Sequence, residues 1–451
     1  MERVDVAIVG GGPAGTSAAW AAAAAGANTL VLEKGVPRAD RDGLGPDSTD
    51  AAGMLDYWVD LMDLPVDIPD EVVLRALEGA EFIGPTETLS IDDTGLDSSY
   101  PDFGFAFDRA GFDDWLREEA EAAGATYRVG DSVTGVDSDL SGPDGPTHTL
   151  DLSGGETVEA GALVLADGPQ RTVTGPALNQ FLDTSLGERM PSTEVNHIAY
   201  QEHRRMPAEL FEPDRLKFWW GYMPGHTAYP WVFPNDDGIA RVGLTMPIGL
   251  DIDEFDRSQW ALLRGDDDAI PGGSEYLQRL LAREYPGYDI DDFPLVEDRG
   301  KRGGTETYPI SSTRPIESPT AANVAVVGGA MGATSAFHEG GDHVAVRTGR
   351  VAGRLAAEGD LERYNDAWQA AIGDEVLRNV TLADIVEPYG PDDWDRAFAA
   401  ADTMLNRGEY SLLSLLRSGL TGIRMVRTYR KTKARFADGA YVQLRESEYS
   451  V

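Results

Sequence analysis

Residues 4–15 read VDVAIVGGGPAG. A short apolar run passes directly into glycines spaced Gly10, Gly12 and Gly15. The pattern predicts a buried strand, a tight turn and a helix reaching about Ala25, where Gly26 can cap it. A second strand, NTLVLE, then ends on Glu33, 18 residues after Gly15. Each glycine has a physical task in such a unit. Gly10 permits the turn, Gly12 lets backbone approach a pyrophosphate, and Gly15 lets the helix pack closely on the strand. The helix start offers free N–H groups to phosphate, and Glu33 can accept from a ribose. The alternative is a glycine-rich helix start with a packing role only. The uncharged stretch Val6–Leu32 is long enough to span a bilayer, yet glycine and alanine fill much of it and no basic region precedes it. It reads as the nucleotide-binding unit and not as a signal or membrane segment.

The chain has 451 residues, enough for several domains or one elaborated α/β domain. Its formal net charge is −39, and only five residues are lysine. The acids are spread along the whole length. Such a surface repels nucleic acid and suits a cytoplasm of high salt, so a halophilic source is expected. Cysteine is absent, which excludes disulfides, thiolate metal sites, iron–sulfur clusters and thiol nucleophiles. The six histidines show no metal-ligand spacing, and no metal is expected.

Further segments carry glycine, arginine or aromatics in pattern. Residues 105–124 place Arg109 before a helix. Residues 162–168, ALVLADG, form a strand ending in Asp167-Gly168, which is also a common turn pair. Residues 323–341, NVAVVGGAMGATSAFHEGG, run from a strand through a glycine-rich loop to a helix beginning near Gly341. Residues 229–234, YPWVFP, put Tyr229, Trp231 and Phe233 on one face of a strand at period two. Pro230 and Pro234 suggest an edge strand or its ends. That face either covers a core or lines an apolar site. Phe218, Trp219, Trp220 and Tyr222 extend it or pack beneath it.

Together these segments resemble the geranylgeranyl reductase family of FAD-dependent oxidoreductases, of the p-hydroxybenzoate-hydroxylase-like fold, over about residues 1–375. The family's Tyr-x-Trp-x-Phe-Pro substrate-cavity motif fits 229–234. The Trp-x-Trp-x-Ile-Pro motif of the related flavin halogenases is not found. The resemblance implies FAD as cofactor, held by Gly10, Gly12, Ala14, Gly15, Glu33, Lys34, Gly45, Arg109, Val133, Asp167, Gly168, Gly329, Gly340 and Gly341. It implies substrate contacts at Tyr229, Trp231 and Phe233. His338 and Glu339 are candidate proton donors near the ring, or else polar loop and helix-cap residues. Two departures stand out. Gly329 occupies the place of the aspartate that usually holds the flavin ribityl chain. The loop DRDGLGPDSTDAAG, 40–53, lacks the family's cysteine, leaving Gly45 to approach the ring.

The expected fold is α/β. A Rossmann-like FAD-binding domain (1–60, 100–178 and 305–375) carries an inserted antiparallel substrate domain (61–99 and 179–304) and a helical C-terminal part (376–451). The implied reaction saturates C=C bonds of an isoprenoid chain on a lipid or quinone by hydride transfer from reduced flavin. A monooxygenase of the same fold and a flavin-less lipid-binding protein are the alternatives. The electron donor is NAD(P)H or a small carrier protein. Residues 417–435 carry seven basic side chains and no acid, and Leu413, Leu416, Leu420 and Ile423 recur at helical spacing just before them. The segment 413–435 either docks on an anionic membrane or pairs with the protein's own acids. The expected location is the cytoplasm, with the inner face of the membrane as the docking alternative.

Overall fold

The computed structural model describes residues 2–37, 52–143, 145–300, 303–405 and 419–451. The apolar runs near the N-terminus form a sheet whose centre is parallel. Its order is Thr126–Val129, Thr29–Glu33, Glu2–Val9, Thr157–Leu165, Thr147–Leu152 and Val133–Asp139, with Val324–Val326 also pairing Thr157–Leu165. Val6–Val9 lie between Thr29–Leu32 on one side and Ala162–Leu165 on the other. A parallel centre must be covered on both faces, which is why these runs are continuously apolar.

Helix α1, Pro13–Ala24, is buried on most of its circumference because it is built from alanine. Helix α2, Arg109–Ala122, starts at an Asp108 cap that accepts from Gly111 N at 3.0 Å. Helix α3, Asp342–Glu358, packs across α1, and the crossing is close because Gly349 and Gly353 face the Ala14 and Ala18 carbonyls. A Cβ on Gly353 would fall 1.9 Å from Ala18 O. The small residues therefore set where the starts of α1 and α3 lie.

The second sheet has seven strands: Thr305–Ser311, Asn196–Arg205, Ile239–Pro247, Tyr229–Pro234, Arg215–Trp219, Gly79–Ile83 and Thr88–Ile91. All its pairings are antiparallel except that between Arg215–Trp219 and Gly79–Ile83. Period two separates its faces. Val232, Val242, Leu244 and Trp219 pack with Tyr276, Leu277 and Leu280 of helix Gly273–Glu284. Tyr229, Trp231, Phe233 and Trp220 belong to an aromatic cluster on the opposite face.

Tyr229–Pro234 is not an edge strand, contrary to the expectation drawn from its prolines. It pairs along its full length with Ile239–Pro247 and by two residues, Val232 with Lys217 and Trp231 with Phe218, on its other side. Pro230 and Pro234 flank that two-residue stretch, so an interior strand tolerates two residues without N–H groups.

A third sheet of Gly53–Leu55, Gly104–Phe107 and Val73–Leu77 packs with α2 around Phe105, Phe107 and Phe112. Strand Thr305–Ser311, grouped in the sequence with the nucleotide-binding part, joins the second sheet. Helix α4, Tyr364–Val386, runs without a break across the boundary expected at 375. Beyond it lie helix Pro391–Leu405 and α5, Gly419–Phe436. The chain then returns to the first unit, where Leu444 bridges to Ile316.

Candidate active site

A cavity of about 700 Å³ lies between the first unit and the aromatic face of the second sheet. Gly12, Pro13 and Ala14 from the start of α1 line it, as do Gly340, Gly341 and Asp342 from the start of α3. Neither helix has a side-chain cap, so the first N–H groups of both are directed at this region.

The glycine turn obeys the steric demands of a nucleotide-binding unit. Gly10 has φ +99°, and a Cβ there would meet Ala166 O at 2.4 Å. A Cβ on Gly15 would fall 1.9 Å from Gly10 O, whereas Gly12 faces open space. Glu33 holds the turn from the second strand: its carboxylate accepts from Gly11 N and Gly35 N, each at 2.6 Å. An acid at the strand end, an uncapped helix start and a glycine with free space beside it together fit the ribose and pyrophosphate of FAD.

Arg109 reaches the cavity wall from the first turn of α2. Its guanidinium is 3.1 Å from Asp113 and 3.2 Å from Asp342, tying α2 to the start of α3. Gly168 and Gly329 also line the cavity. Asp167 does not: its carboxylate accepts from Val173 N at 2.6 Å, Thr174 N at 3.1 Å and the Thr174 hydroxyl, fastening the turn that follows the strand. Val133 sits in the core of the first sheet opposite Leu152, and Lys34 is exposed. Neither is on the wall, because Val133 points inward from its strand and Lys34 lies past the end of its own. Gly45 falls outside the described residues.

The departure at Gly329 has a steric counterpart. A Cβ there would stand 3.1 Å from Pro169 Cδ. The Gly329–Ala330 backbone is instead held by Arg171, which is buried and donates to Ala330 O at 2.8 Å, Pro169 O at 3.1 Å and Ser311 Oγ at 2.9 Å. Burial lowers the Arg171 pKa to about 10, which leaves it charged at neutral pH. Nothing local in the sequence marks Arg171, since its partners are up to 159 positions away.

The other wall is aromatic. Tyr229, Trp231, Phe233, Phe218 and Trp220 all line the cavity, whereas Trp219 and Tyr222 pack on the far side of the sheet. Trp220 stacks on Tyr229 at 4.4 Å, and Phe218 meets Phe233 edge to face at 5.1 Å. Trp231 lies over Gly243, its register partner on the next strand, where a Cβ would come 2.3 Å from the indole. The Trp231 indole N–H is buried with no hydrogen-bond partner among the described residues.

The loop 335–341 joins the two walls. The Tyr229 hydroxyl donates to His338 O at 2.7 Å, and burial, with the Glu339 charge, raises its pKa well above the ordinary value. His338 is pushed down to about 4, chiefly by burial and then by His343. Its Nδ1 accepts from Gly340 N at 3.2 Å, so the ring is neutral near pH 7 and any proton it carries is on Nε2. Glu339 adopts φ +59° and is 9 % exposed. One carboxylate oxygen accepts from the Thr245 hydroxyl, and the other is 2.5 Å from His197 Nδ1.

Sequence reading passed over Trp58, His343, Glu375 and His197. Trp58 lines the cavity and stacks on His343 at 4.3 Å. His343 Nε2 is 2.5 Å from Glu375, which also pairs with Arg347 at 2.8 Å. Burial opposes ionisation of Glu375, but the His343 and Arg347 contacts outweigh it and hold its pKa at about 2. The four-residue spacing of His343 and Arg347 was a usable signal; the reach to Glu375 on α4 was not.

The model of the FAD binding domain family matches residues 5–88. Digeranylgeranylglycerophospholipid reductase 2 of Methanothermobacter thermautotrophicus is 25% identical over 94% of this chain and 99% of its own. The chain is an FAD-dependent oxidoreductase related to the geranylgeranyl reductases. The enzyme of the same description from Methanopyrus kandleri is 27% identical over 82% of this chain and 83% of its own. Among solved structures, a geranylgeranyl bacteriochlorophyll reductase-like protein from Thermoplasma acidophilum superposes with a TM-score of 0.69 at 20% identity, covering 97% of this chain and 99% of the other. That likeness establishes the fold. Among the described residues no group of acids and histidines could hold a metal, and no helix is long and apolar enough to cross a membrane.

Proposed function

We propose that this oxidoreductase saturates isolated C=C bonds in geranylgeranyl-type chains of a membrane lipid. The carrying observation is one cavity shared by the glycine-lined starts of α1 and α3 and by the aromatic face of Tyr229, Trp231 and Phe233. When bound, FAD supplies the hydride. The chain's own residues do the rest. Gly12–Ala14 and Glu33 would hold the nucleotide, and Gly341 with the uncapped start of α3 would offer backbone N–H groups to the flavin, where donors favour an anionic reduced form; the Gly340 N–H is taken by His338 Nδ1. The aromatic wall excludes water, aligns an apolar chain and stabilises partial positive charge as a proton arrives at an alkene carbon.

The relatives' names specify a digeranylgeranyl glycerophospholipid, and an apolar cavity accommodates such chains without needing to recognise a headgroup. A lipid substrate is reached at a membrane, and α5 offers a surface for that. Arg424, Arg427, Arg430 and Lys431 are exposed on α5, a helix without an acid in a protein of net charge −39. This supports docking on an anionic bilayer. Vesicle sedimentation at low and high salt tests it.

The deciding test of the reading is spectroscopic. FAD-loaded protein is reduced with dithionite under argon and mixed with an unsaturated archaeal-type phospholipid. Return of the oxidised flavin spectrum with a gain of two mass units per double bond supports the reductase. No reoxidation by lipid, together with substrate-stimulated NAD(P)H oxidation when oxygen is admitted, favours a monooxygenase, and failure to take up FAD favours a lipid-binding protein.

A further inference from the structure

We propose that His226, His197 and Glu339 form a path carrying protons from solvent to the cavity, with Glu339 as the group that protonates the substrate carbon. The proposal rests on the reductase reading, because every hydride added to an alkene carbon requires a proton at its neighbour.

Few groups on the described cavity wall can deliver that proton. Arg109 and Asp342 are paired with each other. Arg378 is a permanent cation and a poor acid. The Tyr229 phenol is bonded to His338 O and is driven further from ionisation by burial. His338 is neutral near pH 7. Tyr57 is likewise raised by burial, and Tyr308 belongs to the outer reach of the aromatic cluster. Glu339 differs from all of these: it lines the cavity and also has a titratable partner behind it.

That partner is His197, 4 % exposed, on the strand next to Thr245. Its Nδ1 is 2.5 Å from Glu339 Oε1, near enough for a proton to pass, although the ring as it stands does not turn its N–H onto that oxygen. The His197 ring in turn meets the His226 ring edge to face, centroids 5.6 Å apart. One ring rotation or one bridging water spans that separation. His226 is exposed; partial burial and then the His197 charge lower its pKa, and the charges of the exposed Glu387 and of Glu339 oppose that shift. Three titratable side chains thus lead from solvent to the cavity wall. The backbone at both ends is strained: Glu339 has φ +59° and Thr227, next to His226, has φ +54°. Non-glycine residues keep such conformations where the surrounding structure demands it.

The step balances as follows. The alkene π bond breaks as a hydride adds to one carbon and the Glu339 O–H breaks to form a C–H bond at the other. The carboxylate left behind takes the Nδ1 proton of His197. His197 is reprotonated through His226, so one solvent proton is consumed per double bond. Thr245, donating to the second carboxylate oxygen, keeps Glu339 turned towards His197 and the cavity.

His226 is the informative position, because it is exposed and its replacement leaves the buried pair in place. Reduced, FAD-loaded His226→Gln should be reoxidised by the unsaturated lipid about tenfold more slowly than wild type, with millimolar imidazole restoring the rate. Glu339→Gln should be slowed about 100-fold and not rescued. In the oxidised, FAD-loaded protein without lipid, ¹⁵N NMR of histidine should show the His197 Nδ1 resonance shifted in Glu339→Gln, and the His197 titration midpoint displaced in His226→Gln. A wild-type rate in His226→Gln without imidazole overturns the path. Should the lipid fail to reoxidise even wild type, the reductase reading falls. The substrate-protonating role of Glu339 then falls with it, and an unmoved His197 midpoint shows in addition that His226 is not linked to His197.

Discussion

Gly349 lies against Ala14 so closely that a Cβ on it would stand 2.0 Å from the Ala14 carbonyl oxygen. This contact sets the crossing of α3 over α1, and with it the distance between the two uncapped helix starts on the cavity wall. Gly349→Ala cannot be absorbed by a rotamer change, because the obstacle is backbone. We expect a loss of about 3 kcal/mol in urea unfolding. The flavin-to-protein absorbance ratio of the purified variant should fall as well, since the α1 start moves away from the cofactor. A variant that kept full flavin occupancy would show that the helix crossing does not position the nucleotide.

Gly329 and Pro169 form a second constrained pair. Restoring aspartate at 329 places a Cβ 3.1 Å from Pro169 Cδ, and the carboxylate must then find room beyond it. Gly329→Asp should therefore destabilise the protein by about 1–3 kcal/mol and lower FAD affinity. Pro169→Ala removes the obstructing atom. The double variant should recover part of the loss, and a double-mutant cycle should give a coupling of about 1 kcal/mol or more. Strict additivity would mean that Pro169 is not what excludes the larger residue.

The Trp231 indole occupies space that Gly243 leaves empty. Gly243→Ala would push the ring off the strand and into the cavity, since a Cβ would come 2.3 Å from it. We expect bound flavin to be retained, because Gly243 lies on the second sheet. Lipid-driven reoxidation should fall about tenfold or more through misalignment of the chain. Trp231→Ala should slow it too, but by widening the cavity, so the two variants should differ in their tolerance of bulkier chains.

How much of this was legible follows from the range of each interaction. The strand, glycine turn, helix and Glu33 are local, and each stands where the spacing of VDVAIVGGGPAG indicates. The shared face of Tyr229, Trp231 and Phe233 followed from period two. The interior position of that strand did not, because proline argues for an edge and only the short pairing with Lys217 and Phe218 reconciles the two. Asp167 illustrates the opposite failure: its turn was visible, but its bonds to Val173 and Thr174 are made by a backbone path that no motif encodes. Arg171, His197 and Glu375 were invisible for the same reason. Each acts on a residue more than 30 positions distant, and long-range pairing leaves no periodic trace.

Buried neutral histidines should also shape the stability of the fold against acid. His148 is fully buried, its Nδ1 is 2.9 Å from Ser138 Oγ, and burial lowers its pKa from 6.5 to about 4. His203 is lowered to about 3, first by burial and then by Arg241 and Arg299. The sign follows from which state takes up the proton. Below pH 6.5 the unfolded chain protonates these rings while the folded one does not, so the unfolded state is favoured as pH falls. The stability contributed by neutral His148 is present above its unfolded pKa and is lost progressively from 6.5 down through about 4, amounting to about 3 kcal/mol. Carboxylates also titrate at the lower end of this range, so the test is a comparison of two proteins in the same salt. Urea unfolding of wild type and His148→Leu between pH 7 and pH 4.5 should give a steeper loss for wild type, whatever their difference at pH 7. Parallel curves would mean that His148 is protonated in the folded protein, and that the site beside Ser138 admits the charge.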